Sequence, residues 1–227
     1  MNKNHLVIFD IDGTLTDTSE IDDSLYRQTF FDLYNLKLLD NKWEEYKKLS
    51  SHNDNGTAIN ILRNELNIDD IQKELENFKS YFMILLKNNS KKFTEIPGAS
   101  DFFNELRANN NFIIGVATGS WRNSGIIKLN SIGISVDKIP YGNADLYNTR
   151  KEIISYVISQ AKEMYNATEF TKITYIGDGE WDLVASRDLR IDFIGIDSRN
   201  DGMLKSLDVK KITNNFINKN LLYDLLI

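Results

Sequence analysis

Four short apolar runs along the chain end in polar or glycine-containing turns, a pattern that predicts buried β-strands. The runs lie at residues 6–9, 112–117, 173–176 and 193–196. Between the later runs, apolar residues spaced by three or four predict helices, for example from Ile153 to Met164. Because strands alternate with helices, the expected fold is α/β with a parallel sheet.

Roughly a hundred residues separate the first two runs, far more than a simple crossover between parallel strands needs. Apolar residues within 59–66 and 71–85 keep a helical spacing, so the inserted stretch is predicted to be helical. Pro97-Gly98 indicates a turn back into the core. We therefore predict a core formed by residues 1–15 and 96–227 and an α-helical cap formed by residues 16–95.

The composition is typical of a folded protein and leaves no general basic surface. Hydrophobic residues make up 41% of the 227 positions, the net charge is −6 and the pI is near 5.1. Most faces would repel a polyanion, so no nucleic-acid partner is expected, while a small anion can still bind in a local positive pocket. The chain has no cysteine, which excludes disulfides, thiolate catalysis and Cys-based zinc sites.

No targeting or membrane segment is predicted. The first apolar run begins at Leu6, which leaves no room for a secretory signal. The apolar stretch from Phe82 to Leu86 is far short of the ~20 residues of a membrane helix. We expect a cytoplasmic protein without a membrane partner, either a monomer or a homodimer.

Three of the predicted strands end in residues suited to phosphate chemistry. Asp10 follows the first strand, Thr118-Gly119-Ser120 follows the second, and Gly177-Asp178 follows a later one. Ligands of open parallel sheets bind outside the carboxyl ends of the strands. These residues are therefore expected to converge on one pocket.

Four aspartates would lie close together in that pocket, namely Asp10, Asp12, Asp178 and Asp182. Like charges raise each other's pKa, and a bound cation relieves that repulsion. Oxygen ligands without histidine or cysteine favour a hard ion. Mg²⁺ is therefore the predicted cofactor, with the carboxylates of Asp10 and Asp178 and the carbonyl oxygen of Asp12 as its ligands.

The residue types also suggest catalytic roles. Asp10 is ionised near neutrality without a base, which makes it the candidate nucleophile. Asp12 can donate a proton to the leaving oxygen and later accept one from water. The hydroxyl of Thr118 or Ser120, with backbone N–H groups such as that of Gly119, can hydrogen-bond the phosphoryl oxygens.

A cation on the protein side is expected beside the phosphate. Thr149 and Glu152 fit a capping box, which predicts a helix with Arg150 and Lys151 in its first turn. Either basic side chain can hold Asp10 ionised and bind the phosphoryl group, and we favour Arg150. Taken alone, both are typical of solvated surface charges.

Residues 52–56 are predicted to form a polar loop between cap helices, an element that can reach down onto a substrate. His52 and Asp54 are its candidate substrate-binding residues. An exposed turn explains the same pattern for His52, so both interpretations stay open.

Taken in order, these motifs resemble those of the haloacid dehalogenase superfamily, in its phosphoglycolate phosphatase-like branch with a helical C1 cap. The matching segments are Asp10-Ile11-Asp12-Gly13-Thr14-Leu15, Thr118-Gly119-Ser120, Arg150 or Lys151, and Gly177-Asp178-Gly179-Glu180-Trp181-Asp182. The resemblance implies a Rossmann-like core, with Asp10 as nucleophile, Asp12 as acid/base and Thr118 as phosphate ligand. It also implies metal binding by Asp10, Asp12 and Asp178, with Asp182 behind these ligands.

The predicted function is that of a Mg²⁺-dependent phosphatase that hydrolyses a small phosphorylated metabolite through an aspartyl-phosphate on Asp10. Two alternatives stay open. A sugar-phosphate mutase uses the same first half-reaction, and a catalytically silent metal- or phosphate-binding protein can share the fold.

Overall fold

A computed structural model describes residues 5–50 and 52–227, and at its centre lies one parallel sheet of six strands. The strands are β1 His5–Phe9, β2 Phe112–Ala117, β3 Tyr141–Gly142, β4 Lys172–Gly177, β5 Asp192–Ile196 and β6 Ile212–Thr213. Their order across the sheet is β3-β2-β1-β4-β5-β6. The prediction of an α/β fold with a Rossmann-like parallel sheet is confirmed.

Strand β1 lies in the middle of the sheet because its side chains are apolar on both faces. Residues 6–9 are fully buried, as expected where helices cover both sides of a parallel sheet. Phe9 lies opposite Val116 of β2 and Ile176 of β4. Asp10, the next residue, therefore stands where three neighbouring strands end.

The helices surround the sheet and fill the long connection between β1 and β2. They are α1 Ser19–Tyr34, α2 Asp40–Leu49, α3 Asp54–Asn64, α4 Ile71–Asn89, α5 Ala99–Ala108, α6 Arg122–Ser131, α7 Arg150–Met164, α8 Glu180–Leu189, α9 Met203–Ser206 and α10 Lys219–Leu226. Within the described ranges, none of them combines the length and apolar character that a bilayer crossing demands.

Helices α1 to α4 share a hydrophobic cluster that is separate from those on the two faces of the sheet. Aromatic rings dominate it, and those of Tyr26 and Phe78 have centroids 4.8 Å apart. The chain enters and leaves this helical region by adjacent segments, since Thr16 and Glu95 form an antiparallel bridge. This arrangement suits an inserted unit, and the division at residues 16–95 stays our prediction.

Two features differ from the sequence-based expectations. Strands β3 and β6 contain two residues each, too few for a hydrophobic period to reveal them. The predicted loop at 52–56 is mostly the first turn of α3, which begins at Asp54. Asn53 is its N-cap, and its side-chain oxygen accepts a hydrogen bond from the Gly56 N–H at 3.1 Å.

Candidate active site

The carboxyl ends of β1, β2 and β4 bring the predicted motifs together around one cavity. Its walls include most of the predicted site residues, namely Asp10, Asp12, His52, Asp54, Thr118, Gly119, Ser120, Arg150 and Asp178. Side chains of α1, α2 and α3 form the opposite wall. The cavity therefore lies between the sheet edge and the inserted helices, as parallel topology favours.

Arg150 contacts Asp10 directly. Its Nη1 donates to Asp10 Oδ1 at 2.9 Å, and its Nε lies 3.2 Å from Asp182 Oδ1. The start of α7 is set by the predicted capping box, in which Thr149 Oγ1 accepts from Glu152 N and Glu152 Oε2 accepts from Thr149 N. This cap keeps Arg150 in the first turn, where its buried side chain reaches the sheet edge.

Lys151 does not reach the cavity, which corrects its place among the candidate catalytic residues. Successive residues of an α-helix point about 100° apart around its axis, so Arg150 and Lys151 cannot face the same site. The Lys151 Nζ lies 3.5 Å from Asp188 Oδ2 of α8, and 51% of the lysine side chain is exposed. Lys151 and Asp188 therefore form an ion pair at the surface.

Asp10, Asp178 and Asp182 form a buried acidic cluster in which one carboxylate oxygen of each lies within 4.8 Å of the others. Burial raises the pKa of Asp10 to about 7, although the guanidinium of Arg150 opposes the rise. Burial and then the charges of Asp182 and Asp10 raise the pKa of Asp178 well above its ordinary value. The protein alone does not compensate these carboxylates fully.

The Asp178 carboxylate has spare capacity to bind a cation. Its Oδ1 is buried without a hydrogen-bond partner, and its Oδ2 lies 3.3 Å from Arg199 Nη2. Gly13 lets this carboxylate approach the β1 loop, because a Cβ at Gly13 would stand 2.1 Å from Asp178 Oδ2. Gly13 also has a positive φ of 79°. A buried, oxygen-only cluster with an unpartnered oxygen fits a hard ion such as Mg²⁺.

Asp182 is held differently from Asp178. Its Oδ1 accepts a hydrogen bond from the Tyr175 hydroxyl at 3.0 Å, and its Oδ2 accepts from the Gly179 N–H at 3.0 Å. With both oxygens engaged inside the protein, Asp182 is suited to a place behind the ligands and to orienting Arg150.

Three side chains hold the carboxylate of Asp12. Thr18 Oγ1 donates to its Oδ1 at 2.5 Å and Ser120 Oγ donates to its Oδ2 at 2.8 Å, while Lys128 Nζ lies 2.8 Å from Oδ1 and 2.9 Å from Oδ2. Burial pushes the pKa of Asp12 upward, but Lys128 and these hydrogen bonds outweigh it, so the pKa lies below its ordinary value. Asp12 is therefore ionised in this arrangement.

Residues 118–120 form a tight turn beside Asp12. Thr118 N donates to Gly142 O at 3.1 Å, and Thr118 Oγ1 accepts from Ser120 N at 3.1 Å. Both hydroxyl-bearing residues are almost fully buried but line the cavity. Their oxygen atoms are consequently fixed at its wall.

His52 and Asp54 rest on this turn. Asp54 N donates to Gly119 O at 2.9 Å, and Asp54 Oδ2 accepts from Trp121 N at 3.0 Å. The His52 ring stacks on Trp181 with centroids 3.7 Å apart. Burial lowers the pKa of His52 to about 3, which leaves the ring neutral at ordinary pH. The start of α3 is thus fastened to the core at the mouth of the site.

A family model described as haloacid dehalogenase-like hydrolase matches residues 7–196, most of the chain. The chain belongs to this family. The predicted membership in the haloacid dehalogenase superfamily, and with it the prediction of a hydrolase, is confirmed.

Solved structures share the fold of this haloacid dehalogenase-like hydrolase. A hydrolase from Pseudomonas syringae is 20% identical with a TM-score of 0.73, over 96% of this chain and 97% of that one. CbbY from Rhodobacter sphaeroides, in complex with phosphate, is 14% identical with a TM-score of 0.73, over 96% of both chains. A β-phosphoglucomutase from Clostridium difficile is 17% identical with a TM-score of 0.69, over 100% of this chain and 97% of that one. No curated protein sequence matches the chain.

The charged residues of this haloacid dehalogenase-like hydrolase that the sequence-based prediction missed include Asp22, Lys128 and Arg199. Asp22 and Arg199 line the cavity, and Lys128 lies behind Asp12. The sequence carries one signal for Lys128, a single lysine within the apolar run Ile126-Ile127-Lys128-Leu129. Asp22 and Arg199 stand in polar surroundings where nothing distinguishes them from surface charges.

Proposed function

We propose that this haloacid dehalogenase-like hydrolase is a Mg²⁺-dependent phosphatase that acts on a small phosphate monoester. The observation that carries the proposal is the buried contact of Asp10 with Arg150, beside the unpartnered oxygen of Asp178. A nucleophile, a cation for the phosphoryl oxygens and a metal ligand thus share one sheet edge. Phosphoryl transfer depends mainly on such positioning and on charge stabilisation.

Asp10 is the nucleophile in this proposal. Its carboxylate oxygen forms a bond to phosphorus as the bond to the leaving oxygen breaks, which produces an aspartyl-phosphate. Arg150 favours the ionised form of Asp10 and attracts the negative oxygens of the phosphoryl group. The hydroxyl of Thr118 provides a further donor at the wall of the cavity, whereas the Ser120 hydroxyl already donates to Asp12 Oδ2.

Asp12 serves both half-reactions. It gives a proton to the leaving oxygen when the ester breaks, and it takes a proton from the water that hydrolyses the aspartyl-phosphate. The contacts with Thr18, Ser120 and Lys128 favour the ionised form, which is the form that accepts a proton from water. The proton gained in that step serves the next leaving group.

Asp10, Asp178 and the carbonyl oxygen of Asp12 would hold Mg²⁺, with Asp182 behind them. The fit rests on the oxygen-only cluster and on the unpartnered Asp178 Oδ1. When bound, the ion supplies positive charge that offsets the repulsion between the Asp10 carboxylate and the phosphate.

The substrate we propose is a small phosphorylated metabolite that binds between the sheet edge and the cap of residues 16–95. The cavity wall opposite Asp10 combines aromatic and acidic side chains, among them Tyr26, Trp43 and Asp22. CbbY from Rhodobacter sphaeroides has been crystallised with phosphate and, as a mutant, with xylulose-(1,5)-bisphosphate. Those ligands support the same broad class for this chain.

The test is phosphate release from a panel of sugar phosphates, phosphoglycolate and nucleotides, measured with Mg²⁺ for the wild type and for Asp10→Asn. We expect turnover of at least one monoester and a loss of at least about 10³-fold in kcat for the variant. If Asp10→Asn kept wild-type turnover, Asp10 would not be the nucleophile.

The same assay separates the alternatives. A sugar-phosphate mutase would convert a substrate without stoichiometric release of inorganic phosphate. A catalytically silent protein would release no phosphate from any compound of the panel.

A further inference from the structure

Lys128 is a buried lysine that makes and breaks no bond in the proposed reaction steps. It lies on core helix α6, and none of its side chain is exposed. Burial would lower its pKa, but the nearby carboxylates of Asp12 and Asp22 raise the pKa above its ordinary value. The buried side chain is therefore an ammonium.

Three side chains surround this ammonium group. Lys128 Nζ lies 2.8 Å from Asp12 Oδ1, 2.7 Å from Asp22 Oδ1 and 3.0 Å from Ser120 Oγ. The ammonium donates hydrogen bonds to Asp12 Oδ2 and Ser120 Oγ, and Asp22 adds an ion pair, which leaves the group little freedom to turn. Because the side chain is fully enclosed, it cannot touch a substrate itself.

These partners belong to different parts of the molecule. Asp12 follows β1, Ser120 follows β2, and Asp22 lies on α1 of the inserted helices. Lys128 consequently joins the Asp12 carboxylate to both the core and the cap side of the cavity. Without it, Asp12 and Asp22 would face each other as uncompensated buried carboxylates.

We propose that Lys128 is a positioning residue for Asp12, which it holds in line with the leaving oxygen and ties to helix α1 through Asp22. The inference rests on the proposed acid/base role of Asp12. It predicts that loss of Lys128 harms protonation of the leaving group more than it harms attack by Asp10.

The test compares two aromatic monoesters of similar size that differ in leaving group, benzyl phosphate and 4-nitrophenyl phosphate. The benzyl alkoxide needs a proton as it departs, whereas 4-nitrophenolate is stable without one. For Lys128→Met we expect kcat/KM with benzyl phosphate to fall about 10²- to 10³-fold, because kcat/KM reports the first half-reaction alone, in which the leaving group departs. With 4-nitrophenyl phosphate, kcat/KM should fall less than about 10-fold. Asp12→Asn should show the same selectivity.

Each outcome decides between the two claims. Equal losses on both substrates in Lys128→Met, with a selective loss in Asp12→Asn, would make Lys128 merely structural and overturn the inference alone. Equal losses in Asp12→Asn would remove the acid/base role of Asp12, and the inference would fall with it. Partial recovery of benzyl phosphate turnover in Lys128→Arg would support positioning by charge.

Two further variants control for folding. The double variant Lys128→Met/Asp22→Asn leaves less uncompensated buried charge than Lys128→Met. If the single variant fails to fold, the double variant supplies the same comparison of the two substrates. Lys79→Met is the matched control. Lys79 of α4 also forms an ion pair with the core, with its Nζ 2.9 Å from Asp145 Oδ1, but it does not contact Asp12. The ratio of the two substrate activities should stay at the wild-type value in Lys79→Met.

Discussion

The carbonyl oxygen of His52 lies against Gly119 so closely that a Cβ at residue 119 would stand 2.3 Å from it. The obstacle is backbone, which cannot turn aside as a flexible side chain can. Gly119 is therefore the point at which the backbone just before helix α3 packs against the turn of residues 118–120.

Gly119→Ala is expected to push residues 52–54 away from the site and to lower kcat/KM about 10- to 100-fold, since displacements near 1 Å at a reacting centre have such effects. Steady-state phosphate release measures it. Gly133→Ala is the control, because Gly133 has a φ of 77° and open space around it. That variant should lose about 1 kcal/mol of stability without a change in kcat/KM. Unchanged kcat/KM in Gly119→Ala would show that the contact between residues 52–54 and Gly119 does not contribute to activity.

Arg150 and Lys151 are neighbours in sequence, but substitution of Arg150 is expected to have a large effect and substitution of Lys151 a small one. Arg150→Met removes one partner of a buried ion pair, so we expect a loss of about 3 kcal/mol of stability and about 10²- to 10³-fold in kcat. Lys151→Met removes a surface pair and should change stability by less than about 1 kcal/mol. Chemical denaturation and phosphate release test both, and a kinetic defect in Lys151→Met would contradict the geometry.

Mg²⁺ should stabilise the folded protein. Binding to the native state alone adds about 2.7 kcal/mol when the free ion is at about 100 times its Kd. Thermal unfolding with and without Mg²⁺ should therefore show a higher Tm with the ion, and Asp178→Asn should abolish the shift. Asp188→Asn, at an exposed position of α8, should keep it. An unaltered shift in Asp178→Asn would exclude Asp178 as a ligand.

His5 is expected to make the protein less stable in mild acid. Burial lowers its pKa to about 4, and Lys172 adds to the effect. The unfolded chain binds a proton near pH 6.5, so this contribution is present above about pH 6.5 and is lost as pH falls toward 4. Because the ring is partly solvated, we expect a loss of about 1 to 2 kcal/mol, less than the full pKa difference implies.

The measurement is the free energy of unfolding of the wild type minus that of His5→Gln, from about pH 7.5 to about pH 4. The amide introduced by His5→Gln can still hydrogen-bond Thr174, whose Oγ1 lies 2.8 Å from His5 Nε2. The difference should shrink as pH falls. A difference independent of pH would show that His5 keeps its ordinary pKa.

Local patterns predicted a large part of the fold because their causes are local. The run at 6–9 is apolar on every residue, which suits only a strand buried on both faces. The capping box of Thr149 and Glu152 depends on residues three apart and marked the start of α7 correctly. Residues 52–56 do not form the predicted loop, because Asn53 caps a helix that begins at Asp54 within this polar stretch.

The sequence by itself determined the parallel α/β core, the helical insertion and the aspartates that follow the strands, since hydrophobic period and chain order are properties of the sequence. Only the tertiary structure decided that Arg150 rather than Lys151 meets Asp10 and that Lys128 stands between Asp12 and Asp22. Those outcomes depend on which way a side chain leaves its helix and on charges brought together from distant segments. Such long-range compensation of buried charge produces no hydrophobic period and no motif spacing in the sequence.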